Sequence, residues 1–285
     1  MTTTPGTEII ELETGVFARL HEGLTNAGII VGDNGVILID SLRVPSFARD
    51  LIQDVRHITS KPIQYVIDTH SHWDHTWGNE VFPEATIIGH ENCYEEMVDV
   101  EWNRQWRDKI LAANDPWSEE ANLVNITPPN LTFETSMRLF FGGREIILKY
   151  LGKSHTSGDI VIHLPEEKIV FTGDMAQDEG VPYLGDSYPE EWPETDNLLV
   201  ELPVERFVSG HGPVGNHEAL VQARNFIHSL VHHLKTTIQE GQDEATASTS
   251  VIDALNPEFG HWRSFDHLNE GIPGVYGKLK QLKTR

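Results

Sequence analysis

Cysteine is almost missing. Cys93 is the only one in 285 residues, which excludes an internal disulfide, a zinc finger and an iron–sulfur cluster. Any metal must therefore be held by imidazole and carboxylate, and the chain carries 15 His. Basic residues are also scarce: 21 Lys and Arg stand against 44 Asp and Glu, for a formal charge of −23. A surface this acidic repels phosphate backbones and anionic lipid at long range, which speaks against nucleic-acid and membrane partners. No run approaches the roughly 18 apolar residues of a spanning helix, and Met1-Thr2-Thr3-Thr4-Pro5-Gly6 lacks the basic and apolar regions of a secretory signal, so a cytoplasmic protein is expected. No repeat of roughly 20 to 50 residues is visible. What remains is an ordinary soluble composition, 39% hydrophobic, enough for one large core or two modest ones.

Val16 to Asp40 alternates short apolar runs with turn residues and reads as an antiparallel meander, with Asp33-Asn34-Gly35 supplying a turn that tolerates positive φ. Phe47, Leu51, Ile52 and Val55 have helical spacing between Pro45 and Ile58, and Ile63 to Ile67 reads as a buried strand. A second cycle follows, with a short strand at Thr86 to Gly89, one helix from Glu91 to about Ala113, and an irregular loop from Asn114 to Pro129 with a helical turn near Ser118-Glu119-Glu120. Strand patterns return at 137–141, 145–150, 160–164 and 168–171, so layered α/β order is expected. His217 to Gly241 reads as one long helix whose apolar positions suit packing on the core, and Gln242 to Ser250 as a flexible polar link. The expected organisation is a catalytic domain over 1–215 with a helical C-terminal extension over 216–285 packed on it; the oligomeric state stays open.

The informative stretch is His70-Ser71-His72-Trp73-Asp74-His75, directly after the strand ending near Asp68. Residues two apart at a strand end can point the same way, so His70 and His72 can grip one metal while Asp74 and His75, as the chain turns into a helix, face a second. His155, Asp174 and His211 each follow an apolar, strand-like run beside glycine, which lets backbone and metal approach closely. Imidazole and carboxylate suit zinc, with iron or manganese as alternatives, and the inventory is enough for two ions. Asp40 and Asp68, both at strand ends, are candidates either to accept the outer ring N–H of a ligating histidine or to cap a turn. Trp102, Trp106 and Trp117 serve either as core or as pocket wall, alongside the loop Gly180 to Asp186 with Tyr183. His228, His232 and His233 lack a metal pattern and read as partly buried or surface residues, and Cys93 reads as a small apolar filler.

His-x-His-x-Asp-His followed by separate His, Asp and His after strands is similar to the metallo-β-lactamase superfamily, across roughly Val16 to Gly215. The resemblance implies a four-layer αββα sandwich with the metal site along one edge. It implies His70, His72 and His155 on a first zinc, Asp74, His75 and His211 on a second, and Asp174 bridging. Gly152 to Asp159 also resembles the corresponding loop of the secreted zinc β-lactamases. The pattern departs where substrate is recognised: Gln177 stands where some of those enzymes place a lysine and many lactonases a tyrosine. Asp174 is the choice seen in thioesterases, lactonases and phosphodiesterases of the family.

The expected activity is a dinuclear zinc hydrolase that uses a bridging hydroxide to open an ester, thioester, lactone or β-lactam-like carbonyl of a small molecule, with Asp74 orienting the hydroxide and relaying its proton. The alternatives are an iron-dependent sulfur or oxygen oxidoreductase and a phosphodiesterase on the same fold; His72 stands where the diiron form typically has Glu, and the acidity argues against a long polyanionic substrate.

Overall fold

A computed structural model of the chain describes residues 6–283. Strands β1 (Thr7–Glu13), β2 (Val16–His21), β3 (Ala27–Val31) and β4 (Val36–Ile39) form the antiparallel meander, which gains β1 over the sequence expectation. Helix α1 (Pro45–Ile58) begins with proline in its first turn, where the missing N–H has no helical partner to lose. Then come β5 (Ile63–Ile67), the single turn α2 (Trp73–Thr76), β6 (Thr86–His90), α3 (Glu91–Val98), α4 (Val100–Ala113), α5 (Ser118–Leu123) and β7 (Leu131–Phe133). The helix expected over 91–113 is broken at Asp99, whose extended backbone ends α3 and whose carboxylate caps α4 by accepting from Glu101 N at 2.8 Å and Trp102 N at 2.9 Å.

The second half runs β8 (Ser136–Phe141), β9 (Arg144–Tyr150), β10 (Ile160–Leu164), β11 (Ile169–Gly173), α6 (Trp192–Val200), β12 (Arg206–Ser209) and β13 (Val214–Asn216). It closes with α7 (His217–Gln239), α8 (Glu244–Phe259) and α9 (Leu268–Lys283). The stretch 242–250 is therefore not a flexible link. Asp243 caps α8 by accepting from Thr246 N at 2.9 Å, and Ala247, Val251, Leu255 and Phe259 bury one stripe of it. No described helix is long and apolar enough to cross a membrane.

Strands β1 to β7 form one sheet in sequential order, and the second sheet has the order β13-β12-β11-β10-β9-β8. Strand alternation sorts side chains between two cores. Ile37, Ile39, Ile67 and Ile88 of the first sheet meet Ile146, Ile160, Ile162 and Phe171 of the second. On the outer faces, Leu38 and Val66 pack on Leu51 and Val55 of α1, while Val170 and Phe207 pack on Leu199 of α6 and Leu220 of α7. The result is the expected αββα sandwich. Residues of α7, α8 and α9 build a further apolar cluster that takes in Val181, Leu184 and Trp192 of the segment before and into α6.

The parallel pairs β4–β5, β5–β6 and β11–β12 aim their carboxyl ends at one edge of the sandwich. Strand β9, two antiparallel steps from β11, ends there as well. Open parallel sheets present their loops to ligand at such an edge.

Candidate metal centre

Asp40, just past β4, has a left-handed backbone with φ 63°, a conformation that costs aspartate less than most residues. There its carboxylate accepts from Thr69 N at 2.8 Å, Thr69 Oγ1 at 2.9 Å and His75 Nδ1 at 2.7 Å. His70 follows Thr69, His72 caps α2 with an extended backbone, and the turn of α2 carries Asp74 and His75 back toward the strand ends. Asp68 takes no part as a histidine partner; it is buried and accepts from Asn79 Nδ2 at 2.8 Å.

The seven expected ligands converge. His70, His72 and His155 form one group, His70, His75 and Asp174 a second, and Asp74, His75 and His211 a third, each with one ligand atom per residue within 4.8 Å of the others. His72 Nδ1 and His155 Nε2 are 2.8 Å apart. Asp174 Oδ2 lies 3.6 Å from His155 Nε2 and 3.3 Å from His211 Nε2, between the outer groups. Two glycines make this approach available. At Gly173, which has φ 52°, a Cβ would sit 2.7 Å from Thr69 Oγ1, and at Gly210 a Cβ would sit 2.1 Å from Asp174 Oδ1 and 2.5 Å from His75 Cε1.

The buried atoms His70 Nε2, His75 Nε2 and Asp174 Oδ1 have no hydrogen-bond partner among the described residues. Buried polar atoms normally have one, so this donor set fits cations. The ring nitrogens on the far side are mostly engaged. His75 donates to Asp40, His70 Nδ1 meets Thr69 Oγ1 at 3.0 Å, His211 Nδ1 donates to Leu24 O at 3.1 Å, and His72 Nε2 faces Asp186 Oδ2 at 3.2 Å. Such outer contacts fix ring orientation in metal sites.

Charge divides the cluster. Burial, reinforced by neighbouring histidines, drives His70 well below the ordinary imidazole range and His155 down to about 3, so both are neutral donors at pH 7. Burial opposes charge on His211 and His75 as well, but Asp174 and Asp74 overcome it, pushing His211 up to about 10 and His75 well above its usual value. Burial is likewise outweighed at Asp74 and Asp174, whose carboxyls stay well below the usual range beside His75 and His211. Those two histidine protons balance two buried carboxylates, a task that a cation performs equally well.

Several residues at the site carry no signal in the sequence. Thr25 donates to Asp74 Oδ2 at 2.7 Å and accepts from Arg43 at 3.2 Å, and Arg43 in turn stacks on Trp117. Trp117 thus packs beneath Arg43 and against Phe47 instead of joining the pocket wall. Asn26 crosses between sheets to Ser209 O at 3.0 Å and Gly212 O at 2.8 Å, on either side of His211. Glu96 of α3 accepts from Ser71 Oγ and Ser157 Oγ, both at 2.5 Å, tying the His70–His75 segment to the His155 loop. Away from the site, His228 donates to Pro193 O at 2.9 Å, and Cys93 is a buried thiol.

Trp106 and Tyr183 lie beside His72, with ring centroids 4.9 and 5.8 Å from it, and Trp102 stacks at 6.2 Å. Lys109 donates to Tyr183 Oη at 2.8 Å and sits over the Trp106 ring. An open cleft of about 780 Å³ reaches Asp174 and His211 from outside and is walled by Leu24, Gln177, Tyr183 and Arg263.

The sequence profile of the metallo-beta-lactamase superfamily matches residues 21–211. The chain is 28% identical over 202 residues to 2,4-dinitroanisole O-demethylase subunit alpha of Nocardioides sp. strain JS1661, a match that covers 67% of this chain and 54% of that protein. The chain thus spans about half the length of that relative. It is 25% identical over 224 residues to metallo-beta-lactamase type 2 of Bacillus cereus, covering 76% of this chain and 78% of that one. The solved metallo-beta-lactamase from Pontibacter korlensis superposes with a TM-score of 0.62 at 21% identity, over 78% of this chain and 99% of its own, a likeness of fold.

Proposed function

Since the chain belongs to the metallo-β-lactamase superfamily, we propose that it is a zinc-dependent hydrolase that opens an ester, thioester, lactone or cyclic amide in a small-molecule substrate. The observation that carries this reading is the convergence of seven ligands in three overlapping groups, with unpartnered nitrogens and oxygen among them. His70, His72 and His155 would hold one ion, Asp74, His75 and His211 the other, and Asp174 would serve both. Ions bound there acidify water and polarise a carbonyl oxygen.

The remaining steps belong to the chain's own side chains. Thr25 fixes Asp74 through Oδ2, which leaves Oδ1 to orient the attacking water and to carry its proton to the leaving atom. Asp40, Thr69, Leu24 and Asp186 keep four imidazoles facing inward. The half-buried rings of Trp102 and Trp106, with Tyr183, supply an apolar wall beside His72 for the acyl or leaving group.

A second reading, hydrolysis of an aryl methyl ether by water to a phenol and methanol, is favoured by that aromatic wall together with the demethylase relative. Both are tested by following proton release from the zinc-loaded protein with a glutathione thioester, an acyl-homoserine lactone, an aryl ester, a cephalosporin, a phosphodiester and 2,4-dinitroanisole. Turnover of one carbonyl substrate that disappears in His72→Ala is the expected result. Turnover unchanged in His72→Ala at equal folded content would overturn the metal mechanism, and turnover of dinitroanisole alone would select the second reading.

A further inference from the structure

Of the four imidazoles with an engaged outer nitrogen, three are braced from the sandwich and its strand-connecting turns. Asp40 and Thr69 sit at strand ends, and Leu24 O belongs to the β2–β3 turn that Asn26 ties to the 209–212 segment. The fourth brace is different. Asp186, which faces His72 Nε2 at 3.2 Å, lies between β11 and α6 on a stretch without regular structure, and its side chain is 20% exposed. A carboxylate on such a segment orients a ring only if something else holds the segment.

What holds it comes from the far end of the chain. Lys278 of α9 donates from Nζ to Gly185 O at 2.8 Å and Ser187 O at 2.7 Å, the carbonyls on either side of Asp186. Its ammonium has no carboxylate within ion-pair distance among the described residues, and it is partly buried, so its donors go to the loop backbone. The neighbouring contacts agree. Leu184 packs on Gly271 of α9, where a Cβ would lie 3.0 Å from Leu184 Cδ1, and Val181 and Leu184 are part of the apolar cluster of α7, α8 and α9. Past Asp186, Tyr188 N donates to Ser154 O at 2.7 Å, next to His155. The loop is thus fastened on one side to the C-terminal helices and on the other to the His155 segment.

We propose that the C-terminal helices are a working part of the metal centre, with Lys278 as a positioning residue that sets Asp186 against His72 and so aims His72 Nδ1. The proposal rests on the reading of these histidines as metal ligands.

The test uses the full chain with Lys278→Met, Lys278→Arg, Asp186→Asn, the Met/Asn double variant and His72→Ala, with circular dichroism for folded content. Zinc affinity is measured by competition with a chromophoric chelator, and the ligand field by the visible bands of the cobalt(II) form. Lys278→Met is expected to weaken the first zinc about tenfold, within the range found for outer-contact residues, and to shift the cobalt bands as Asp186→Asn does. Lys278→Arg restores both, and the double variant is no worse than Asp186→Asn alone, since the two act through one contact. Where Met destabilises α9, Lys278→Gln takes its place: its shorter amide falls short of the position from which Nζ reaches both carbonyls, and the same loss is expected. Wild-type affinity and bands in the Lys278 variants, with zinc binding lost in His72→Ala, would overturn the positioning role alone. Wild-type zinc binding in His72→Ala would overturn the ligand reading with it.

Discussion

Asp40→Asn tests the candidate metal centre at the point where shape can be kept and chemistry changed. Asparagine matches aspartate in size and tolerates the left-handed backbone at φ 63°, so folding alone should barely register the change. Asp40 Oδ1 accepts from Thr69 N at 2.8 Å, while Oδ2 accepts from Thr69 Oγ1 at 2.9 Å and His75 Nδ1 at 2.7 Å. The backbone N–H cannot rotate, so the amide oxygen stays on it and the NH₂ group takes the place of Oδ2. The Thr69 hydroxyl can turn to accept. In the neutral ring that would ligate, His75 Nδ1 cannot remain a donor against another donor, so its single proton must sit on Nε2, the buried atom 3.5 Å from Asp174 Oδ1 that would face the ion. Outer-contact losses of this kind cost roughly ten- to a hundredfold in metal affinity, or about 1.4 to 3 kcal/mol. Chelator competition for zinc in wild type and Asp40→Asn, at matched circular dichroism, reads that loss directly. Equal affinities would show that the Asp40 contact does not set the His75 tautomer and would refute the argument.

Gly210→Ala should lower zinc content and activity at least tenfold, because the added methyl would meet Asp174 Oδ1 at 2.1 Å and His75 Cε1 at 2.5 Å with little room for either to retreat; metal analysis and turnover at equal folded content check it. Asp68 is raised well above the usual carboxylate range, first by burial and then by Asp40 against the Asn79 hydrogen bond. Its folded form therefore holds a proton more tightly than its unfolded form, so its contribution is complete below a pH of about 4 and is lost as pH rises through the folded value. Urea unfolding should show Asp68→Asn gaining on wild type with rising pH above about 4; a gap that moves the other way would count against burial as the dominant cause. Phe259 packs 5.3 Å from Phe226 and 4.9 Å from Trp262, ring to ring, and is 2% exposed. Phe259→Ala should cost about 3 to 5 kcal/mol in denaturant unfolding, and a loss under 1 kcal/mol would mean that α8 adds little to the core.

The candidate ligands are legible because their residue types are dense in one place: four side chains of metal-ligating type stand in the six residues His70 to His75, immediately past a strand. His155, Asp174 and His211 were readable at lower density because each follows an apolar run beside glycine. Thr25, Asn26, Glu96 and Lys278 were not, since their types are ordinary surface polars and their roles exist only through contacts across the chain, as when Asn26 reaches Ser209. Helix α8 was missed because its buried stripe has one residue per turn and begins with alanine, within a run of Thr and Ser that reads as a link. Asp40 and Asp68 make the limit sharpest. Each is the first residue past a parallel strand, and each amide continues the ladder, Asp40 N to Ile67 O at 2.9 Å and Asp68 N to Ile88 O at 2.8 Å. Composition and spacing treat them alike. Only Asp40 then turns to positive φ, which brings its carboxylate to Thr69 and His75, whereas the carboxylate of Asp68 meets Asn79. One backbone dihedral separates the carboxylate that braces the candidate metal centre from the one that does not, and the contacts that go with it lie some thirty residues along the chain, at Thr69 and His75, beyond the reach of local pattern.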